Sequence, residues 1–326
     1  MSTIEKYIYG IINSNGEKPF NIENENAHVI SYDGLSAVVS DAEKVDYHNL
    51  PRETLARCLV KHQQVIEKVM RDFTIIPMQL GTFAQDEAEV RRILAKGFPL
   101  IKNIFSRVIN AVEIDIAATW NHFERILKET GEEPEIKEFK AKLKLNPGEI
   151  TITDQIKIGA MVKKALDLKR EAAVSEIQTI LKDVSLDVKT HEVMNDQMVM
   201  NAAFLVNLAK REEFDRKIEV LNAKYAEKLN FRCVGPLPPY SFYTLEAKKI
   251  DHQEIKWARG KLDLFQEQIT KDEVKNAYKK AALAAHPDVT SDLGKEFKEI
   301  VRAYKILREY SLSNEQDGLL VRLRGV

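Results

Sequence analysis

The chain has 326 residues, 44% of them hydrophobic, enough to bury more than one core, so two or three domains are expected. Lys plus Arg total 49 against 50 for Asp plus Glu, and this balance removes any argument from net charge for nucleic acid or an anionic membrane as partner. Two cysteines, Cys58 and Cys233, have no CxxC spacing, which argues against a disulfide framework and a thiolate zinc site and suits a reducing compartment.

The start, MSTIEKYIYGIINSNG, lacks a basic stretch followed by an apolar one, and no apolar run approaches the roughly 18 residues of a membrane span. A cytoplasmic protein is expected. YIYGIIN (7–13) reads as a strand, and VISYDGLSAVVSD (29–41) reads as two more joined at Asp33-Gly34, a strong hairpin signal. Residues 52–71 place Leu55, Leu59, His62, Ile66 and Val69 at helical spacing, and TIIPMQLGTF (74–83) returns to strand composition, with Pro77 favouring an edge or bulge. A helix over 86–110 is expected to break near Gly97 and Pro99, before a strand VEIDIAATW (112–120). Strands, helix, strand, helix, strand fits a ferredoxin-like α+β domain over 1–125.

Residues 128–149 are dominated by charge and close on Asn-Pro-Gly, so a charged helical linker is expected over 126–150. A long helix (154–182), the strand-like SLDVKTHEV and MVMNAAFLVNL, a helix (211–229) with Phe214, Ile218, Leu221 and Tyr225 on one face, and a last strand FRCVG make a second α+β domain over 151–250. It echoes the first half without a residue-level repeat. From 251 to 326 the sequence is mostly charged and helical. Thr270 and Glu273 form a capping box; Val274, Ala277, Tyr278 and Ala281 share a face, and Phe297, Ile300, Val301, Tyr304 and Leu307 repeat the spacing. Two antiparallel helices joined at His286-Pro287-Asp288 follow.

The 13 glycines are never closer than six positions apart, so GxGxxG and GxSxG are absent, and there is no Walker A sequence. The seven histidines include no HExxH and no pair at i and i+4. No catalytic residue, cofactor or metal is therefore expected, and His62 and His191 read as histidines on partly buried faces. Pro287 cannot extend a helix and biases His286 away from helical angles, leaving His286 and Asp288 at an exposed bend. On spacing alone this bend is equally an ordinary interhelical turn and a recognition feature. VGPLPPYSFY (234–243) has three prolines that force an extended segment ending in aromatics. It reads either as a strand exit whose Tyr240 and Phe242 cover the core or as a rigid recognition segment.

ITKDEVKNAYKKAALAAHPDV followed by EFKEIVRAYKIL resembles the core of a J domain, the module by which DnaJ-type cochaperones engage DnaK-type chaperones. The resemblance implies that His286, Pro287 and Asp288 stimulate a chaperone ATPase, with Lys275, Lys279 and Lys280 as a docking face. LDLF (262–265) stands as a short first helix, and SLSNEQDGLLVRLRGV offers no clear fourth helix. A second resemblance spans about 4–245: IYGIIN, GLSAVVS, the stretch from Thr74 to Thr82, VEIDI and VGPLPPYSF are similar to the gas vesicle accessory proteins of the GvpF/GvpL family. It implies two α+β domains, no catalysis, and a part in building the gas-filled shell, associated with vesicles in the cytoplasm. Its motif residues Pro77, Gly81, Gly235, Pro236, Pro238, Pro239, Tyr240 and Phe242 become candidates for partner binding. The implied partners are the small apolar shell protein of the GvpA type, other gas vesicle accessory proteins and a DnaK-type chaperone, with no nucleic acid and no membrane. The competing expectation is a general J-type cochaperone with α+β client-binding domains.

Overall fold

The computed structural model describes residues 4–14, 26–145, 151–266, 269–285, 295–311 and 319–324. They form two compact units, Met1–Ser106 with Tyr243–Val326, and Arg107–Phe242. Among them no helix is long and apolar enough to cross a membrane.

The first unit begins with β1 (Ile4–Ile12), β2 (His28–Tyr32) and β3 (Leu35–Glu43), followed by α1 (Arg52–Met70), β4 (Ile75–Pro77), β5 (Phe83–Ala84) and α2 (Glu87–Val108). The sheet is antiparallel in the order β2-β3-β1-β4, with β5 also on β1. Asp33 and Gly34 both have positive φ between the paired Tyr32 and Leu35, the two-residue hairpin that Asp-Gly favours. Pro77 lies on the terminal strand of the sheet order, where a missing N–H is tolerated. At the centre of β1, a Cβ on Gly10 would stand 2.6 Å from the Ile75 side chain and 2.9 Å from the Ile76 carbonyl oxygen, so only glycine lets β4 approach.

Two helices differ from expectation. The buried face of α1 is His62, Val65, Ile66 and Val69, an i, i+3, i+4, i+7 set, while Leu59 is 43% exposed. α2 runs unbroken through Gly97 and Pro99. Pro99 removes one hydrogen bond, but Val90, Ile93, Leu94, Ile101, Ile104, Phe105 and Val108 bury an apolar stripe on both sides of it.

The second unit contains β6 (Ala111–Trp120), α3 (Phe123–Gly131), α4 (Pro134–Leu145), α5 (Ile152–Lys182), β7 (Asp187–Thr190), β8 (Met198–Asn207), α6 (Arg211–Tyr225) and β9 (Leu229–Leu237). The antiparallel sheet has the order β7-β8-β6-β9. β6, expected to complete the first domain, pairs instead with β8 and β9. It is the first strand of a βαββαβ unit whose core holds Ile114, Ile116, Phe204, Val206, Ile177, Leu181, Phe214 and Leu221. The segment expected as a linker is also integral here. α4 packs on α5, and Lys169 of α5 donates to Thr130 at 2.9 Å and pairs with Glu133 at 2.7 Å. In the first unit the strands before and after α1 follow the same second-third-first-fourth order, so the echo between halves lies in topology.

After residue 242 the chain adds β10 (Leu245–Lys249), α7 (His252–Lys261), α8 (Lys271–Ala284), α9 (Lys295–Tyr310) and β11 (Leu319–Leu323) to the first unit. The capping box at Thr270 and Glu273 is present, and Val274, Ile300, Ala303 and Leu307 meet Ile255 and Ala258 of α7 in one core. LDLF is not a helix. Leu262 and Leu264 follow the end of α7 as buried residues, so α7 is the first helix of this group. Among the described residues of the tail, 319–323 form a strand and not a helix: β11 pairs along the whole of β10, from Leu245↔Leu323 to Lys249↔Leu319. The helices are thus closed at their base by a two-stranded ribbon. Gln79 donates its N–H to the Leu245 carbonyl at 2.7 Å, joining that ribbon to the turn after β4.

Leu319 and Leu320 are each 5% exposed, and burying such side chains contributes about 1.5–3 kcal/mol apiece. Removing residues 319–326 is expected to lower the thermal midpoint by several degrees and to strip hydrogen-exchange protection from 245–249; unchanged protection there would show that β10 does not depend on β11.

Candidate functional site

The motif stretches of the first unit meet around His62. This side chain is 4% exposed on α1, with both ring nitrogens used: Nε2–H donates to the Met78 carbonyl at 3.0 Å, and Nδ1 accepts from the Tyr7 hydroxyl at 2.7 Å. The Met78 carbonyl has no proton to give, so it settles the tautomer. Burial lowers the His62 pKa to about 4 and pushes the Tyr7 phenol well up, so both are neutral at pH 7. The histidine is a satisfied structural residue. Gly81 has φ +86°, and a Cβ there would lie 2.8 Å from the Tyr47 ring. Together with the Thr82 hydroxyl bonded to the Gln79 carbonyl at 2.7 Å, it turns the chain from β4 into β5. Pro77 is buried, and Gly81 is half-buried in the turn.

The second unit uses its proline motif in the same way. Gly235 has φ +151°, and a Cβ would meet the Glu113 carbonyl oxygen at 2.9 Å and Ile114 Cα at 3.3 Å, so glycine alone fits. Pro236 follows in a cis peptide; Pro238 and Pro239 are buried, while Tyr240 and Phe242 are half-buried. Turns closed by the amides of Tyr240 on Pro238 and of Phe242 on Pro239 carry Ser241 over β6. There its N–H and its hydroxyl each donate to Glu113 at 2.8 Å. Glu113 is 1% exposed, and Asp115 stands two residues along on the same face of β6. His191, expected on a partly buried face, is exposed, with Nε2 3.2 Å from the Ser241 hydroxyl. Burial pushes the Glu113 carboxyl up to about 7 against the two Ser241 bonds, and the charge of Asp115 adds to the rise. Glu113 and Ser241 carry the geometry, yet sequence reading passed over both; the available signal was a carboxylate alternating with Ile114 and Ile116 in a strand.

On α8, Lys275, Lys279 and Lys280 are exposed, the first two one turn apart. None has an ion-pair partner among the described residues, which leaves a small basic face. His286, Pro287 and Asp288 lie outside the described residues. Beside this face, Tyr278 stacks on Tyr304 of α9 at 4.3 Å between centroids. No three His, Cys, Asp or Glu side chains among the described residues are grouped to hold a metal.

The Glu113 pair sets a pH dependence. The folded chain retains the proton to about pH 7, whereas an ordinary glutamate releases it near 4.5. Stability from this group is therefore full below about 4.5, falls as pH rises to about 7, and is level above. Glu113→Gln keeps an oxygen for Ser241 without the charge, and is expected to flatten the urea midpoint across that window, read by Trp120 fluorescence in a Trp257→Phe background. An identical slope in both proteins would assign the titration elsewhere.

The family model described as "Gas vesicle synthesis protein GvpL/GvpF" matches residues 5–244, and a "DnaJ domain" model matches residues 262–315. Gas vesicle protein F of Microcystis aeruginosa is 24% identical over 252 residues, covering 74% of this chain and 99% of that protein. A chaperone protein DnaJ of Gloeothece citriformis is 56% identical over 41 residues, 12% of this chain and 11% of that protein. The crystal structure of gas vesicle protein GvpF from Anabaena sp. aligns with TM-score 0.63 at 21% identity, covering 77% of this chain and all of that one, which shows a shared fold. With a match that takes in both sheets, Gly81, Glu113 and Ser241, the chain belongs to the gas vesicle synthesis protein GvpL/GvpF family and carries a DnaJ domain on its C-terminal side.

Proposed function

We propose that this chain is a non-enzymatic accessory protein of gas vesicle assembly, working in the cytoplasm, that binds the small apolar shell protein and presents it to a DnaK-type chaperone. The observation that carries this reading is the pairing in one chain of a GvpL/GvpF match over 5–244 with a DnaJ match over 262–315. A shell subunit whose apolar surface drives polymerisation aggregates if left free, and an open sheet edge caps such a surface by strand addition. β9 supports this role. It is an edge strand, most of its side chains are exposed, and Val234 is 41% exposed. β4 is a poorer edge, because the bridge between Met78 and Leu245 already occupies it.

The basic face of α8 supports chaperone docking, since Lys275, Lys279 and Lys280 steer an acidic partner through long-range attraction. The ATP hydrolysis belongs to that partner. Other accessory proteins of the shell are bound through the α+β units in the same reading, and the motif prolines Pro236, Pro238 and Pro239 act by shaping the segment that ends at Ser241.

Two measurements test the parts separately. Purified protein is expected to delay aggregation of the shell subunit, and Val234→Lys, which places charge on the β9 edge without touching the core, to shorten that delay. Addition of the chain to a DnaK-type chaperone is expected to raise ATPase several-fold, with His286→Gln abolishing the rise and Lys275→Glu with Lys279→Glu weakening it, most at low salt. Absence of both effects in the unmodified protein would overturn the assembly reading; loss of ATPase stimulation alone would leave shell binding and remove the chaperone.

A further inference from the structure

The first half of α5 carries an exposed face that the core of its unit does not use. The second half of the helix is anchored, with Leu166, Ala173, Ile177 and Leu181 buried in that core. Ahead of Leu166, α4 packs on the helix, and Ile158, Met161, Val162 and Ala165 are half-buried. The other side is open. Ile152 and Ile156 are 76% and 66% exposed, and Gly159, Ala160 and Lys163 continue the same stripe at i+7, i+8 and i+11, all exposed.

Three features select what this face takes. Its charge has one sign: no Asp or Glu stands between Asp154 and Asp167, while Lys157, Lys163 and Lys164 are all exposed. Other lysines of α4 and α5 are matched to acids, Lys140 to Glu132, Lys142 to Glu138 and Lys169 to Glu133. Lys157, Lys163 and Lys164 have no ion-pair partner among the described residues, and the acids at either end are engaged, Asp154 by Thr151 and Asp167 by Arg170. The apolar stripe also has a gap. A Cβ on Gly159 would meet nothing within 4 Å, so beside Ala160 a bulky side chain from outside finds room and another helix can come close. Finally, the stripe is narrow and has no large side chain at its centre. This suits a helix lying along it better than a lipid surface, in which amphipathic helices bury bulky apolar residues.

We propose that residues 152–164 of α5 form a docking face for an acidic amphipathic helix of a partner protein, with a leucine-sized side chain of the partner seated over Gly159 and its carboxylates set against Lys157, Lys163 and Lys164. Burial of Ile152 and Ile156 drives the contact. The lysines fix which helix is accepted, since a neutral or basic one leaves them unpaired. The inference is independent of shell-subunit capping at β9 and of the DnaJ helices.

The test is a titration of the intact protein with an acetylated and amidated peptide of about 20 residues, long enough to form a helix, that has one leucine stripe flanked by glutamates. Two control peptides carry glutamine or lysine in place of every glutamate. The glutamate peptide is expected to bind saturably, with two-dimensional NMR shifts confined to 152–168, about tenfold more tightly than the glutamine peptide at low salt and by less as salt rises. Ile156→Ser and Gly159→Leu alter open positions, so the thermal midpoint is expected to hold or rise while affinity falls about tenfold, through lost apolar contact in the first and a filled gap in the second. Lys157→Glu, Lys163→Glu and Lys164→Glu together are expected to reverse the preference, so that the lysine peptide binds and the glutamate peptide does not. Equal binding of the glutamate and glutamine peptides, an unchanged preference after charge reversal, or no binding of any peptide would each overturn the proposal. So would tighter binding to vesicles of pure phosphatidylglycerol than to the glutamate peptide, which would make the face a lipid contact, or self-association that Ile156→Ser abolishes, which would make it a contact between copies.

Discussion

The need to give two buried ionisable side chains, Glu113 and His62, hydrogen-bond partners governs how this chain is built around its two larger sheets. Glu113 projects from a strand whose neighbours on the sheet, Leu205 and Leu237, offer no hydrogen-bonding side chain. The chain resolves the conflict over a long separation. Gly235 passes against the Glu113 backbone, the prolines turn the segment down, and Ser241 supplies two donors to one carboxylate. His62 poses the same problem on α1, and the turn after β4 answers it through the Met78 carbonyl while Tyr7 fills the other ring nitrogen. In both units, therefore, the segment that leaves the fourth strand is the one that satisfies a buried ionisable side chain.

That role explains why glycine and proline are concentrated there. Where β9 shifts register beside β6 there is no room for a Cβ, which Gly235 meets with the Glu113 backbone oxygen 2.9 Å from the missing atom. Proline then restricts the chain before folding, so less conformational entropy is lost when Ser241 is placed. The two halves share strand order without sharing residues because the order follows from strand pairing and short connections, whereas the buried polar partner differs: an imidazole in one unit and a carboxylate in the other.

Local features were legible in the sequence and distant ones were not. The Asp33-Gly34 hairpin, the Thr270 and Glu273 capping box and the edge position of Pro77 each depend on a few adjacent residues whose backbone preferences agree with the fold. The family resemblances were legible for a related reason, since their stretches include the glycines and prolines that the turns require. β6 was assigned to the wrong sheet because strand composition says nothing about which partner a strand finds. Pro99 was read as a break because its local penalty is visible, while the buried stripe that outweighs it becomes apparent only on packing. Of the candidate site, the prolines were visible and the Glu113–Ser241 contact, 128 residues apart, was not.

The C-terminal strand ties the helices of the DnaJ match, with α7 before them, to the first unit on both sides. Here α7, α8 and α9 leave from β10 and return to β11, and the two strands are hydrogen-bonded along five residue pairs. Arg322 of β11 bonds Glu246 of β10 at 2.8 Å and lies 3.4 Å from Glu309 of α9, while Lys248 reaches the same Glu309 at 2.8 Å. Single exposed ion pairs contribute little, but this network spans both strands and the last helix, so its geometry holds α9 against the ribbon. The ribbon meets the rest of the unit where the Gln79 amide donates to Leu245, one residue from the Met78 carbonyl that orients His62. The helices are therefore joined through paired backbone to the turn after β4.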